Sequence, residues 1–257
     1  MPFPDSPRII YKKNPLVEVL CQVQFSTLLR IESEKPTAFQ EAIYENYPSL
    51  EEKESLTVEV STDDGIVKKQ TKPIYEFSTE DGVWKVILAS DTLTLQTLKY
   101  TQWEEFSGRL GLLIDALQEI YRPKFYSRIG LRYKDIIKRS ILGLDDKPWN
   151  ELLNPAVVGV LGNEDIHDDL TNEVNGRFVV ALNNGKKEYA HVQHGLVVNK
   201  ETSEQCYLID ADFFVDAPTE IGNTNDILST FNRKSGRLFR WCITQSLHES
   251  MEPETPD

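Results

Sequence analysis

The sequence predicts an α+β protein in which an antiparallel sheet has helices packed on one face. Short segments that alternate apolar and polar residues are separated by turn-forming residues, which is typical of hairpin-connected strands. Other segments carry apolar residues at helical spacing. The order strand, helix, strands, long helix occurs once before and once after the middle of the chain. This repeated order predicts an internal duplication.

The strand predicted at residues 126–137 would begin the second copy. Side chains of alternate residues in a strand point to opposite faces of the sheet. One face of this strand is apolar and consists of Ile129, Leu131, Tyr133 and Ile137. The opposite face is basic and consists of Arg128, Arg132 and Lys134.

The first half is predicted to span residues 15–123. Its predicted strands are residues 17–25, 56–60, 74–77, 83–89 and 92–98. Residues 63–65 are a turn signal, and the charged stretch that follows, up to Lys72, is predicted to be a loop. Pro36 fits the first turn of a helix. Thr101 and Glu104 have capping-box spacing at the start of a longer helix, which Pro123 ends.

The second half is predicted to span residues 124–251. A short helix is expected between residues 148 and 160, with a break at Pro155. The strands predicted after it are residues 178–182, 188–198 and 205–216. Apolar residues at helical spacing predict one long helix over residues 224–251.

The two ends of the chain are predicted to lie outside these halves. Residues 1–14 are rich in proline and charge and predict a flexible arm. Residues 252–257 predict a disordered acidic tail. No apolar segment resembles a signal peptide or approaches the about 18 apolar residues of a membrane span. Three widely spaced cysteines without a Cys-x-x-Cys pair fit a reducing compartment, so a cytoplasmic protein is expected.

The charge of the chain restricts its partners. With 28 Lys and Arg residues and 41 Asp and Glu residues, the 257-residue chain has a formal net charge of −13. Such a protein repels phosphate backbones on average, so nucleic acid is disfavoured as a partner. A protein partner or a second copy of the chain is expected instead, and no membrane.

No established catalytic motif occurs in the sequence. Gly-rich phosphate loops, Gly-x-Ser-x-Gly elbows and His-Glu-x-x-His helices are all absent. His191 and His194 lie in a predicted strand, where residues three apart point to opposite faces and do not form a zinc pair. The His167–Asp169 stretch is predicted to be a solvated loop. We therefore predict no catalytic residue, no metal site and no cofactor, and an enzyme is the less favoured class.

Asp210 and Asp212 share one face of a predicted strand. Paired carboxylates of this kind hold magnesium or act as acid and base. They are also typical of the solvated side of an antiparallel strand, and this second interpretation is the favoured one.

A larger polar surface would arise if the strands at residues 17–25 and 126–137 are equivalent and lie in one sheet. It consists of Glu18, Gln22, Gln24, Arg128, Arg132 and Lys134. In one interpretation the surface is a structural network in which Glu18 neutralises an arginine. In the other it recognises an anion, because arginine binds carboxylate or phosphate in a bidentate manner. The ligand-binding residues would then be Arg128, Arg132, Glu18 and Gln22, although the structural interpretation is favoured.

Several segments across nearly the whole chain carry a resemblance to a known family. They are Pro15 to Val19 with Gln22 and Phe25, then Tyr100, Trp103 and Phe106, then Arg128 to Tyr133, Trp149, and Phe239 to Thr244. In these segments the chain resembles a sporadically distributed, functionally uncharacterised bacterial family of about this length. Its members look like genes of defence or mobile-element neighbourhoods. The resemblance implies a partner or regulatory subunit and brings no catalytic motif with it.

The function expected from the sequence is that of a non-enzymatic binding or regulatory protein. It would dock on a protein partner, such as an effector or toxin in a bacterial antiviral defence system. The alternative is a binder of a small anionic or nucleotide-like ligand, or an enzyme, that uses the polar face between the two halves. A nucleic-acid platform ranks third because of the net charge.

Overall fold

The computed structural model describes residues 2–255 apart from 61–66, 164, 167, 184 and 186. The described chain is an α+β protein whose strands pair in an antiparallel manner, which confirms the predicted fold class. Its strands are β1 (Ile10–Tyr11), β2 (Leu16–Gln24), β3 (Ser49–Val60), β4 (Val67–Ser78), β5 (Trp84–Leu88), β6 (Thr92–Thr97), β7 (Arg128–Ile137), β8 (Asn175–Ala181), β9 (Glu188–Val198), β10 (Gln205–Val215) and β11 (Pro253–Glu254). Its α-helices are α1 (Leu29–Ser33), α2 (Thr37–Ile43), α3 (Trp103–Tyr121), α4 (Arg139–Leu142), α5 (Trp149–Leu152), α6 (Pro155–Val158), α7 (Thr224–Cys242) and α8 (Gln245–Ser250).

The chain divides into two compact units. The first unit comprises Leu20–Ile129 and Ala217–Thr224. The second unit comprises Gly130–Asp216, together with the chain up to Val19 and from Asn225 onward. The sequence predicted a boundary at residues 123 and 124, whereas the chain passes between the units within β2 and β7. Both units contain strands followed by a 19-residue helix, and the internal duplication stays a prediction.

In the first unit the strand order is β3-β4-β5-β6-β2. One face of these strands is covered by α2 and α3. Phe39 of α2 contacts Phe77 of β4, and Phe106 of α3 contacts Trp84 of β5. These four side chains are buried, so the aromatic residues of the two helices form the core of this unit.

In the second unit the strand order is β7-β10-β9-β8. Helix α7 covers one face, where Phe231 contacts Phe213 of β10 and Asn232 accepts a hydrogen bond from Tyr133 of β7. The alternation predicted for β7 is confirmed, because Ile129, Leu131 and Tyr133 are buried. The alternating side chains therefore sort into a helix-covered face and a more polar face.

Two sequence predictions about local structure in the first unit were wrong for identifiable reasons. The charged loop expected up to Lys72 is instead β4, which begins at Val67 and pairs with β3 along its length; strand pairing overrides the charged composition. The turn predicted at residues 63–65 lies outside the described residues. At α3 the capping box does not form, because the Thr101 hydroxyl donates to the side chain of Glu105.

The single helix expected over residues 224–251 is two helices. Helix α7 ends at Cys242, and Thr244 then caps α8 by accepting a hydrogen bond from the Leu247 amide. The Thr244 amide donates to the Leu152 carbonyl, and Ile243 bridges to Leu153. Backbone pairing with α5 thus interrupts a stretch whose apolar spacing continues through the break.

The ends of the chain take part in the second unit. Ile10 and Tyr11 of β1 pair with Glu254 and Pro253 of β11. Lys12 and Lys13 form exposed ion pairs with Glu254 and Glu252. Phe3 is buried against Trp241. The predicted flexible arm and acidic tail are therefore paired with each other over these residues.

Two glycines allow β8 and β9 to approach each other. A Cβ atom on Gly195, whose φ is +155°, would lie 1.9 Å from the carbonyl oxygen of Val174. A Cβ atom on Gly176 would lie 2.2 Å from the ring of His194. Side chains at these positions would force the strands apart.

We expect Gly195→Ala to lower the free energy of unfolding by about 2 kcal/mol or more, because the contact with the Val174 backbone has no room to relax. Gly108→Ala is the matched control, since this exposed position in α3 has no atom within 4 Å of the added carbon. The control should gain about 0.5–1 kcal/mol from helix propensity. Urea unfolding measures the change in the free energy of unfolding of each variant, and equal changes in the two would contradict the packing argument.

Candidate functional site

The polar face of the second unit contains a bidentate ion pair between β7 and β10. Arg132 donates from Nε to Asp210 Oδ1 over 2.7 Å and from Nη2 to Asp210 Oδ2 over 2.5 Å. The Arg132 side chain is 42% exposed and that of Asp210 only 7%. The guanidinium therefore lies over a nearly buried carboxylate and shields it from water.

The ion pair fixes the charge of the arginine. The hydrogen bonds to Asp210 raise the pKa of Arg132, and the negative charges of Glu18 and Asp212 raise it further. The carboxylate that binds Arg132 in a bidentate manner is Asp210, a pairing that the sequence did not indicate. Glu18 is half-buried on β2, and its charge also favours the charged form of Arg132.

The other two predicted ligand-binding residues belong to the first unit. Gln22 donates to the Thr94 hydroxyl over 3.1 Å and accepts from Gln24 over 3.2 Å, which joins β2 to β6. Arg128 is half-buried at the start of β7. Of the four residues, Arg132 and Glu18 are therefore placed in one unit, and Gln22 and Arg128 in the other.

A buried carboxyl group that the sequence did not mark lies on the opposite face of β7. Asp135 shares the apolar face with Tyr133 and Ile137 and is 6% exposed. Burial raises its pKa to about 8, and the charge of Asp210 adds to this effect. Asp135 interrupts an apolar stripe, and that interruption was the signal available in the sequence.

Asp135 does not complete a site with Arg132. Residues three apart in a strand point to opposite faces, so the Asp135 carboxyl faces the core while Arg132 faces outward. Around Asp135 are Tyr11 of β1 and Cys242 of α7, whose pKa values burial raises and the Asp135 charge raises further. This arrangement can store a proton, but it brings no second reactive group to the polar face.

Asp168 has a structural role that the sequence analysis missed. Its carboxylate accepts from Arg139 over 3.2 Å and from the backbone amide of Trp149 over 2.7 Å. Arg139 stacks over the Trp149 ring, and Gln205 accepts from the Trp149 indole. The predicted solvated loop is therefore anchored at Asp168; His167 lies outside the described residues.

The remaining candidate groups are also used in packing. His194 lies within 2.9 Å of the Tyr207 hydroxyl, which donates to the Val157 carbonyl. The three cysteines are buried and are not joined by a disulfide, and burial raises the pKa values of Cys206 and Cys242. In the part of the chain that the structure describes, no three His, Cys, Asp or Glu side chains are grouped so as to hold a metal ion. Nor does any described helix have the length and apolar character to cross a membrane.

Comparisons with known proteins add no relative. A scan against protein-family models and a search of curated proteins each found no match to this chain. The resemblance to a sporadic bacterial family stays a prediction.

We expect Arg132→Ala to lower the free energy of unfolding by about 1–3 kcal/mol, because Asp210 would remain nearly buried without its partner. Because Arg132 is partly exposed, the loss of stability should be smaller than for a fully buried ion pair. Urea unfolding of Arg132→Ala, Asp210→Asn and the double variant completes a double-mutant cycle, which gives the coupling free energy between the two side chains. Arg177→Ala, at an exposed position of β8, is the control and should change stability by less than about 0.5 kcal/mol. Equal losses in Arg132→Ala and the control would contradict this account.

We expect Asp135 to make stability fall as the pH rises. Because its folded-state pKa of about 8 exceeds the unfolded value of about 3.9, the folded chain keeps a proton between these values that the unfolded chain has lost. Asp135→Asn removes this dependence. The free energy of unfolding of the variant, minus that of the unsubstituted protein, should be roughly 3 kcal/mol higher at pH 8 than at pH 5.

Thermal and urea unfolding between pH 5 and pH 8 measure the difference. Asn150→Ala, at an exposed position without a titratable group, is the control and should give a difference that does not vary with pH. A parallel pH dependence of Asp135→Asn and the unsubstituted protein would show that Asp135 is not protonated in the folded state.

Proposed function

We propose that this protein is a non-enzymatic binding protein that docks on a protein partner. The observation that carries the proposal is the exposure of large apolar side chains on a strongly acidic chain. Leu29, Leu112, Ile141, Leu170 and Val198 are each at least 60% exposed. Exposed apolar side chains are typical of protein interaction sites when they group together.

The residues that the sequence predicted to bind a small ligand support a protein partner instead, because they are bound to other side chains of this chain. Arg132 uses two of its donor groups on Asp210, and Gln22 is held by Thr94 and Gln24. An anion that bound there would have to displace a nearly buried carboxylate or share its arginine. The perturbed carboxyl of Asp135 faces the core, so it does not act on a ligand at Arg132.

The expected partner is a protein with a basic surface, since the net charge of −13 would attract it over long distance. A role in bacterial antiviral defence, with an effector or toxin as the partner, follows from the family resemblance and belongs to this proposal. So does a location in the cytoplasm.

Affinity purification of the tagged protein from its source organism, followed by native mass spectrometry, tests the proposal. We expect a stoichiometric complex with one protein of basic net charge, which weakens as the salt concentration of the wash rises. A chain or homodimer without any other protein, even in low salt, would contradict it.

A small anionic ligand is the second candidate, favoured by one observation. Arg132 is 42% exposed, and its Nη1 group makes none of the hydrogen bonds to Asp210. In the same mass spectra, a lone chain that carries an additional small mass would support this candidate. Arg132→Ala should then lose the added mass, and Arg177→Ala should keep it.

A further inference from the structure

Three of the most exposed aliphatic side chains lie at the same end of the second unit. They are Ile141, Leu170 and Val198, which are 60%, 76% and 60% exposed. We name them the end patch. They come from distant parts of the chain, and polar contacts around Gln205 and Arg139 determine where they lie.

Gln205 connects Val198 to Leu170. It lies opposite Val198 in the β9–β10 ladder, so the two side chains are neighbours on one face of the sheet. The Gln205 side-chain amide donates to the carbonyl oxygens of Asp168 over 3.2 Å and Thr171 over 3.0 Å. Leu170 lies between these two residues in the chain and is therefore held at the end of β9.

Arg139 and Ser140 bring Ile141 to the same end. Arg139 binds the Asp168 carboxylate, two residues before Leu170. The Ser140 hydroxyl and amide donate to the carboxylate of Glu204 over 2.7 and 3.0 Å, next to Gln205 in the chain. Ile141 follows directly and points into solvent for more than half of its surface. The network is structural, and the aliphatic side chains that it positions have no role in the core.

The charged side chains around the end patch have mainly one sign. Within residues 139–147, 163–173 and 198–204, the described exposed carboxylates are Asp145, Asp146, Asp165, Glu173 and Glu201. The described exposed cation in these segments is Lys200. Arg139 and Lys147 are less exposed and are paired with Asp168 and Glu151. An aliphatic centre with an acidic rim favours a ligand that is apolar in its middle and basic at its edges.

We propose that the end patch docks a cationic amphipathic segment of a partner protein. Apolar side chains of that segment would cover Ile141, Leu170 and Val198, and its Lys and Arg residues would approach the acidic rim. This inference rests on the proposed function and assigns a place and a partner chemistry to it. A second copy of this acidic chain is disfavoured as the occupant, because two acidic rims would repel each other.

The test is site-specific photo-crosslinking in the source organism. The full chain carries p-benzoylphenylalanine in place of Leu170 or Val198, and in place of Leu112 as the matched control. Leu112 is 60% exposed and lies on α3 of the first unit. After irradiation, the crosslinked peptides are sequenced by mass spectrometry. We expect both end-patch positions to crosslink to one stretch of one protein, in which Lys or Arg residues are interspersed with apolar ones, and the control to give no such product.

Charge substitutions test the role of the rim. The double variant Asp145→Lys with Asp146→Lys should lower the crosslink yield at Leu170 about tenfold, since it turns attraction into repulsion. The double variant Glu80→Lys with Glu119→Lys, at two exposed positions of the first unit, changes the net charge by the same amount and should leave the yield unchanged. A similar reduction by both variants would show that only net charge matters, which would overturn the assignment of the rim.

The outcomes separate this inference from the proposed function. If mass spectrometry finds a stoichiometric protein partner but crosslinks form from Leu112 or from nowhere, the end patch is not the docking surface and the proposed function stands. If the end patch crosslinks to an acidic segment or to a second copy of this chain, the partner chemistry is wrong. If no protein partner is found by either method, both proposals fail.

Discussion

The constraint on which the polar face depends is the electrostatic requirement of Asp210. A carboxylate that is 7% exposed loses most of its hydration, and the two hydrogen bonds from Arg132 replace it. This requirement fixes β7 beside β10 and fixes the orientation of the arginine. Arg132, the basic residue that the sequence marked most clearly, therefore has a structural role. The docking surface that we propose lies elsewhere.

Alternation along single strands was sufficient to predict much of the fold. Apart from Val17 of β2, the apolar residues of β2, β7 and β10 occupy the buried positions that the alternation assigns to them. Where backbone pairing with a distant segment decides the structure, the local pattern failed. Examples are β4, which forms along the edge of β3 despite its charge, and the break at Thr244, which depends on contacts with Leu152.

The candidate site was less predictable for the same reason. The sequence marked Arg132 and Asp210 separately, but not that they bind each other, since their pairing depends on strand order across 78 residues. Asp135 was visible only as a polar residue in an apolar stripe, and its proton affinity results from burial that no local pattern reveals. The end patch is likewise a product of tertiary contacts, since residues 141, 170 and 198 share no motif.

The route of the chain has a consequence for the order in which the protein folds. Tyr11 of β1 bonds to His248 of α8, which lies 237 residues later. During synthesis, Tyr11 must therefore wait until α8 has left the ribosome before this bond can form. Contacts of such long range slow folding and leave early segments exposed. Completion of the second unit is thus a late event, and nascent chains that stall before α8 would leave β1 without its partners.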